Sequence, residues 1–388
     1  MKSLNICVVS QQAQQVFSGI GLHTHNLCHA LAQDGHRVIL CTPRSQAPAW
    51  EIPFKLVSVP DPVIRRSQAR WFPLSLSFNR RLTRLAAEES IDLIHFTDAR
   101  ESFFYRGKVR AVGNINDTYS ADLRPYAYYR QHYQDALPRY LYYQLVHRCE
   151  RSALKRLARV LANSEYTRSV VQTRYHLPPS QVLVCPKSID DRQYQPVREQ
   201  RAGMAGHPLR VLFVGTNMQR KGLPTLIRAA GRLAKTQSGF EVWVVGDDPV
   251  VPQLKALCVE NGVSSQFKFL GWQPQSQLQS IYANCDLFVM PSLVEAFGMV
   301  FLEAMASGLV AVGTNTGGIP EIIQHDYNGL LVPVGSPEDL AQAIARLASD
   351  PALRLRLQVN GIRTAQSFSV ERMMAETYAI YRGVLSLD

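Results

Sequence analysis

Several protein classes are excluded by what this 388-residue chain lacks. Its seven cysteines (Cys7, Cys28, Cys41, Cys149, Cys185, Cys258, Cys285) are odd in number and widely spaced, with no Cys-x-x-Cys pair and no Cys/His cluster at zinc-finger spacing. A disulfide framework and a small zinc domain are therefore out, and reduced thiols in a cytoplasmic chain are expected. Low-complexity tracts are absent, and 46% hydrophobic against 19% charged residues excludes a disordered chain. No long apolar run is free of charge. The segment 287–312 holds Pro291, Glu295 and Glu303, which makes it a protein core rather than a membrane span. The first apolar run, 4–9, gives way to Gln11, Gln12, Gln14 and Gln15, too soon for a signal-peptide core, and is expected as a first strand.

The length suffices for two domains, each with its own core. Charge divides them: residues 1–200 hold 27 Lys and Arg against 16 Asp and Glu, whereas 201–388 hold 15 against 15. Such one-sided charge attracts anionic partners. Short Val/Ile/Leu runs alternate with segments of helical period, the pattern of a parallel sheet covered on both faces. Strands are expected at 5–10, 37–41, 56–59, 93–96, 111–115, 160–162 and 182–185, with a helix at 21–33 that stops at Asp34-Gly35. The polar segment 192–208 reads as a linker. Alternation then restarts with strands at 210–214, 241–245, 267–270, 287–290 and 310–313, and helices at 223–235, 251–261, 275–283 and 299–306. Two doubly wound units facing each other place a ligand in the crevice outside the carboxyl ends of their strands.

Chemistry concentrates in residues 291–318, PSLVEAFGMVFLEAMASGLVAVGTNTGG. Glu295 and Glu303 are eight residues apart, about 12 Å along a continuous helix. That is too far for a glycosidase pair, which needs about 5 to 10 Å. They suit the two ends of an elongated ligand, with a phosphate held between them at the helix N-terminus that Gly298 opens. A sugar, a diphosphate and a ribose in that order fit the arrangement. Their apolar flanks, Phe297, Met299, Val300, Phe301 and Leu302, argue against two carboxylates on a solvated face.

EAFGMVFLE resembles the Glu-x7-Glu signature of the retaining glycosyltransferases of family 4, and GGIPEII (317–323) with YNGLLVP (327–333) continues the pattern. The resemblance implies a GT-B fold: two Rossmann-like α/β domains facing a central cleft. Residues 1–200, joined by a terminal helix at about 370–388, would bind acceptor, and 201–369 donor. It further implies that Glu295 contacts donor-sugar hydroxyls, that amides of Phe297, Gly298, Met299 and Val300 hold sugar and diphosphate, and that Glu303 holds the ribose. GTNMQRKG (215–222), from Gly215, resembles the family's diphosphate loop. Lys221 matches directly, whereas Thr216 replaces the usual Arg, leaving Arg220 as the second cation. In VWVVGDDP (242–249), Asp248 replaces a glycine, and in FLGWQP (269–274) Trp272 is placed beside the base. No Asp-x-Asp triplet occurs, so neither a metal nor any other cofactor is expected beyond the nucleotide-sugar substrate.

In the first domain SGIG (18–21) resembles the family's glycine-rich loop ahead of a helix, which assigns Gly19 and Gly21 to the diphosphate. The third glycine of a dinucleotide fingerprint is missing, which opposes a nicotinamide enzyme. His23 and His25, two apart on a helix, cannot share a metal. Asn116 stands where the family often has His, so a histidine base is absent and the residue supplies only a hydrogen bond. Asp117, Tyr119 and Arg168 are acceptor candidates. Residues 64–84 carry Arg65, Arg66, Arg70, Arg80, Arg81 and Arg84 beside Trp71, Phe72 and Phe78, a composition suited to anionic headgroups. Residues 119–143 carry eight tyrosines that offer stacking faces to sugars.

The expected activity is transfer of a hexose-type sugar to a saccharide or lipid-linked acceptor, in the cytoplasm or on the inner face of its membrane, with no nucleic-acid partner. A nucleotide-sugar epimerase of the same fold and a non-catalytic module with a basic surface are the alternatives.

Overall fold

A computed structural model describes residues 3–14, 19–48, 50–61, 71–118, 126–127, 130, 136–202, 208–237 and 239–386. Two compact units result, Met1–Ser188 with Val370–Asp388, and Ile189–Ser369.

The first unit is built on seven parallel strands, β1 (Asn5–Val9), β2 (Arg37–Pro43), β3 (Lys55–Val59), β4 (Leu93–Phe96), β5 (Ala111–Ile115), β6 (Arg159–Ala162) and β7 (Val182–Val184), in the order β3-β2-β1-β4-β5-β6-β7. Its helices include α1 (Gly19–Gln33), α2 (Trp71–Glu88), α3 (Ala136–Leu154) and α4 (Glu165–Tyr175). Alternate residues of one strand point to opposite faces, so a strand such as Ile6-Cys7-Val8-Val9, fully buried, needs cover on both sides. Cys7 and Val9 pack in one cluster with Leu74, Phe78, Leu82 and Leu85 of α2. Ile6 and Val8 pack in another with Leu27 and Leu31 of α1.

The second unit has six parallel strands, β8 (Leu209–Val214), β9 (Phe240–Val245), β10 (Phe267–Gly271), β11 (Leu287–Met290), β12 (Val310–Thr314) and β13 (Gly329–Val332), in the order β10-β9-β8-β11-β12-β13. Helices α5 (Gln195–Ala202), α6 (Leu223–Leu233), α7 (Val251–Glu260), α8 (Gln275–Ala283), α9 (Met299–Ala306), α10 (Pro337–Ser349) and α11 (Pro351–Ser367) cover it. The last helix, α12 (Val370–Leu385), returns to the first unit, where Met373, Met374, Ile380 and Tyr381 join the cluster around α1.

The expected linker is corrected by the structure. Residues 195–202 form α5, and the buried Tyr194 and Val197 pack into the core of the second unit. Two apolar side chains three apart amid polar neighbours are the narrow stripe of a short surface helix, easily mistaken for none. The strand β13, not expected from the sequence, is a short run entered through the glycine of YNGLLVP. In both sheets the chain reverses its direction of growth at one place, between β1 and β4 and between β8 and β11, and loops from adjacent strands separate there to opposite faces.

Candidate functional site

Because β8 lies beside β11, two loops distant in sequence, 215–222 and 291–298, leave the second sheet side by side. Glycines allow the contact. Gly222, at φ +81°, sits where a Cβ would stand 1.8 Å from the Pro291 carbonyl oxygen. The Leu293 amide donates to Arg220 O at 2.8 Å. From β12 comes Gly317, at φ +58°, whose Cβ would stand 1.9 Å from Glu295 O, and the Gly318 amide donates to the same oxygen at 2.9 Å. Gly298, at φ +97°, ends the loop and caps α9, leaving the first amides of that helix as unsatisfied donors.

Four charged side chains meet at this edge. Lys221 lies over Gly215, where any Cβ would stand within 2.6 to 2.8 Å of its Cδ, Cε and Nζ, and its Nζ is 3.6 Å from Met290 Sδ. Burial pushes the Lys221 ammonium below the ordinary lysine range, Arg220 adds to that, and Glu295 and Glu303 oppose it. Glu303, in α9, accepts a bond from Tyr282 Oη at 3.2 Å. Burial raises its carboxyl pKa, against the pull of Tyr282 and Lys221. Glu295 has a side chain 13% exposed, 3.5 Å from Arg220 Nη1. Two acids and two bases around a helix N-terminus can hold a ligand that is hydroxylated at both ends and anionic in the middle.

Arg220 also has partners within its own unit. Its Nη1 donates to Val294 O at 2.7 Å as well as facing Glu295, so it clamps the 291–298 loop. Lys221 is the cation that reaches both carboxylates electrostatically. The 295–298 stretch is not helical, so a distance based on continuous helix does not apply to the two acids.

The roles of two groups here carry no expectation from the sequence. Tyr282 lies on α8 with nothing in its neighbourhood to mark it, yet it is the hydroxyl partner of Glu303. Asp248 ties the loop of 215–222 down: its carboxylate accepts from the Met218 amide at 2.8 Å and the Val250 amide at 3.1 Å. An Asp three residues before a helix start was the available signal. Beside it, at the carboxyl ends of β9 and β10, a pocket of about 500 Å³ is lined by Gly246, Asp247, Pro249, Lys255 and Phe269. Trp272, 54% exposed, follows this edge and donates its amide to Asp247 at 3.2 Å.

The residues singled out in the first unit occupy varied settings. Gly19 and Gly21 form the first turn of α1 rather than a loop ahead of it, and Lys187 Nζ donates to Gly19 O at 3.1 Å. Asn116, after β5, donates from Nδ2 to Thr97 O at 2.9 Å, while its Oδ1 is buried without a partner. Asp117 stands 3.5 Å from Arg100, which also grips Asp98 at 2.6 to 3.2 Å and lies 3.8 Å from Glu150. Arg168 pairs with Glu165 at 2.6 Å across one exposed helical turn, a surface arrangement. His23 is buried and His25 stacks near His29 at 4.4 Å. Trp71 and Phe78, expected at an interface, are 3% and 0% exposed, because they anchor α2 to the core. Tyr119, Arg65, Arg66, Arg70, Tyr128, Tyr129 and Tyr133 lie outside the described residues.

Comparison with known proteins agrees over most of the chain. Residues 17–193 match the family Glycosyltransferase Family 4, and residues 198–364 match Glycosyl transferases group 1. An uncharacterized glycosyltransferase of Methanocaldococcus jannaschii is 24% identical over 95% of each chain. Other curated relatives are matched over 37% to 60% of their own length. Among solved structures, sucrose-phosphate synthase of Thermosynechococcus elongatus has a TM-score of 0.81 at 21% identity, covering 99% of this chain and 100% of that one. Anabaena HepE in complex with UDP and glucose has a TM-score of 0.70 at 20% identity, covering 97% and 99%. With both sheets in Rossmann-like order and family matches running from residue 17 to 364, the chain belongs to the family 4 glycosyltransferases of GT-B fold.

Proposed function

We propose that this glycosyltransferase is retaining and independent of metal, and moves a hexose-type sugar from a nucleoside-diphosphate donor to a saccharide or lipid-linked acceptor. The observation that carries the reading is the convergence of Glu295, Arg220, Lys221 and Glu303 around the N-terminus of α9. Glu303 accepts ribose hydroxyls, Glu295 accepts sugar hydroxyls, and the diphosphate rests on the amides of 297–300 with Lys221 beside it. Arg220 acts on Glu295 and its loop as well as on the developing charge. Fixed dipoles and cations of this kind stabilise a leaving diphosphate without reorganisation. Anabaena HepE, which holds UDP and glucose, supports a donor of that class.

The acceptor hydroxyl attacks the anomeric carbon on the face from which the phosphate leaves. A C–O bond forms as the sugar–phosphate bond breaks, and the hydroxyl proton passes to the departing phosphate oxygen. Asn116 cannot take that proton, and its free Oδ1 offers only an acceptor. Asp117, Tyr119 and Arg168 are proposed for the acceptor side, and the basic first unit for an anionic membrane surface.

A thermal-shift panel of nucleotide sugars identifies the donor. With it, Glu303→Ala should raise the donor Kd about tenfold or more, the value of losing a charged hydrogen bond. Glu295→Ala should instead lower kcat about 100-fold. Near-wild-type kinetics for both variants, or an isomerised sugar formed from donor alone, would refute the assignment.

A further inference from the structure

One helix of the first unit presents an apolar face that is more than half exposed. At 100° per residue, the buried side chains of α3, Ala136, Val146, Cys149, Glu150, Ala153 and Leu154, point to one side. Opposite them lie Leu137, Leu141 and Leu145, followed on the same line by Arg148 and, two turns later and just past the helix end, Lys155. The leucines are 52%, 56% and 57% exposed, and both cations are exposed. A single bare leucine carries no meaning, but three at successive turns on one stripe form a continuous apolar face. Phe72 of α2 adds to the apolar surface of this unit: it is 41% exposed and packs on Phe103 and Phe104 at 5.7 and 5.1 Å, and Phe103 also packs against Val146 and Cys149 of α3.

We propose that this face of α3 docks the enzyme on an anionic lipid surface, with the leucines seated at the headgroup boundary and Arg148 and Lys155 against phosphates. The inference rests on, and deepens, the membrane reading above. Charge complementarity selects the occupant. The first unit carries 27 Lys and Arg against 16 Asp and Glu, the second 15 against 15, and the solvent face of α3 has no acid, since its single carboxylate, Glu150, is buried on the inner side. A second copy of the chain would bring two such positive surfaces together, which like-charge repulsion opposes. Among the described residues no helix is long and apolar enough to cross a membrane, so the contact is one of lying on the surface.

The test sediments the full chain with vesicles of phosphatidylcholine alone and of phosphatidylcholine with 30% phosphatidylglycerol. Binding to the anionic vesicles only is expected, weakening with salt. Leu141→Ser with Leu145→Ser should lower partitioning at least tenfold. Arg148→Glu with Lys155→Glu should do the same, at about fivefold per cation, and flatten the salt dependence. Both variants should keep the melting temperature and the donor affinity measured without vesicles, since no residue of α3 is assigned to the donor. Failure of donor binding would therefore strike the catalytic reading, and failure of vesicle binding only this one. Indifference of the wild type to vesicles, unaltered partitioning of both variants, or a dimer dispersed by the leucine substitutions would overturn it.

Discussion

The two units share a sheet order and differ in what they do with its carboxyl edge. In the second, glycines bring backbone against backbone, Gly222 on Pro291 and Gly317 on Glu295, and the charged groups that meet there are held under opposing pressures: Lys221 is pushed toward loss of its proton and Glu303 toward gain of one. In the first, the same edge holds a network in which Arg100 holds Asp98 and approaches Asp117 and Glu150, beside Asn116 Oδ1 and Glu101 Oε2, which are buried without a hydrogen-bond partner. Glu101 sits fully buried beside it, its carboxyl held well above the usual range by burial and by Asp98. At one edge two acids and two bases from separate loops meet around a helix N-terminus; at the other a single arginine gathers three carboxylates. One sheet order thus carries two different edges, and the difference lies in which residues leave the strand ends.

Substituting glycines breaks the comparison most severely. Gly222→Ala and Gly317→Ala add strain at positive φ to a contact under 2 Å with backbone, and should cut kcat/KM about 1000-fold or more by displacing both loops. Gly35→Ala in the first unit, at φ +82° with open space around it, should cost only about 1 kcal/mol and leave kinetics alone. Steady-state kinetics and urea unfolding separate the two cases.

Next in size is the exchange of arginines. Arg100→Met leaves three carboxylates without their cation and should destabilise the chain by about 3 kcal/mol, read from urea unfolding, with donor affinity intact. Arg220→Met should show the reverse pattern, a modest change in stability and a fall of about tenfold or more in turnover, because it releases Val294 and Glu295.

The pH dependence of donor affinity sharpens the account of the second edge. Lys221 has a lowered pKa, so as pH rises it becomes neutral before an ordinary lysine would, and affinity should fall on the alkaline side. Glu303 has a raised pKa, so as pH falls it protonates before an ordinary glutamate, ceases to accept as a carboxylate, and affinity should fall on the acid side. Calorimetric titration from pH 5 to pH 10 (about the range these groups span) should lose its alkaline limb in Lys221→Met and its acid limb in Glu303→Gln.

Tyr282→Phe is the mildest change. Loss of one hydrogen bond should cost about 1 kcal/mol, and because that bond lowers the Glu303 pKa, the acid limb should move to higher pH. An unmoved limb would mean that the tyrosine serves packing alone.

Much of this was legible beforehand where signals are local. The strands Leu93–Phe96, Ala111–Ile115 and Leu287–Met290 and the helices Gln275–Ala283 and Met299–Ala306 coincide with their expected ranges, since each is an apolar run or helical stripe bounded by turn residues. The helix α5 was lost to the polarity of its surface, and β13 to its shortness. In the site, Glu295, Glu303 and Lys221 carried motif spacing, whereas Tyr282 carried none, and no local pattern marked the bond from Arg220 to Val294 O.

By itself, then, the order of residues determined the two α/β units, the unequal charge between them and the acids and lysine of the candidate donor edge, because periodicity, composition and short motifs act within one segment. Tertiary structure alone decided which loops became neighbours, which cation reached which carboxylate, and which leucines were left bare on α3. Those outcomes depend on strand order and on the space between segments far apart in the chain, and no local pattern encodes them.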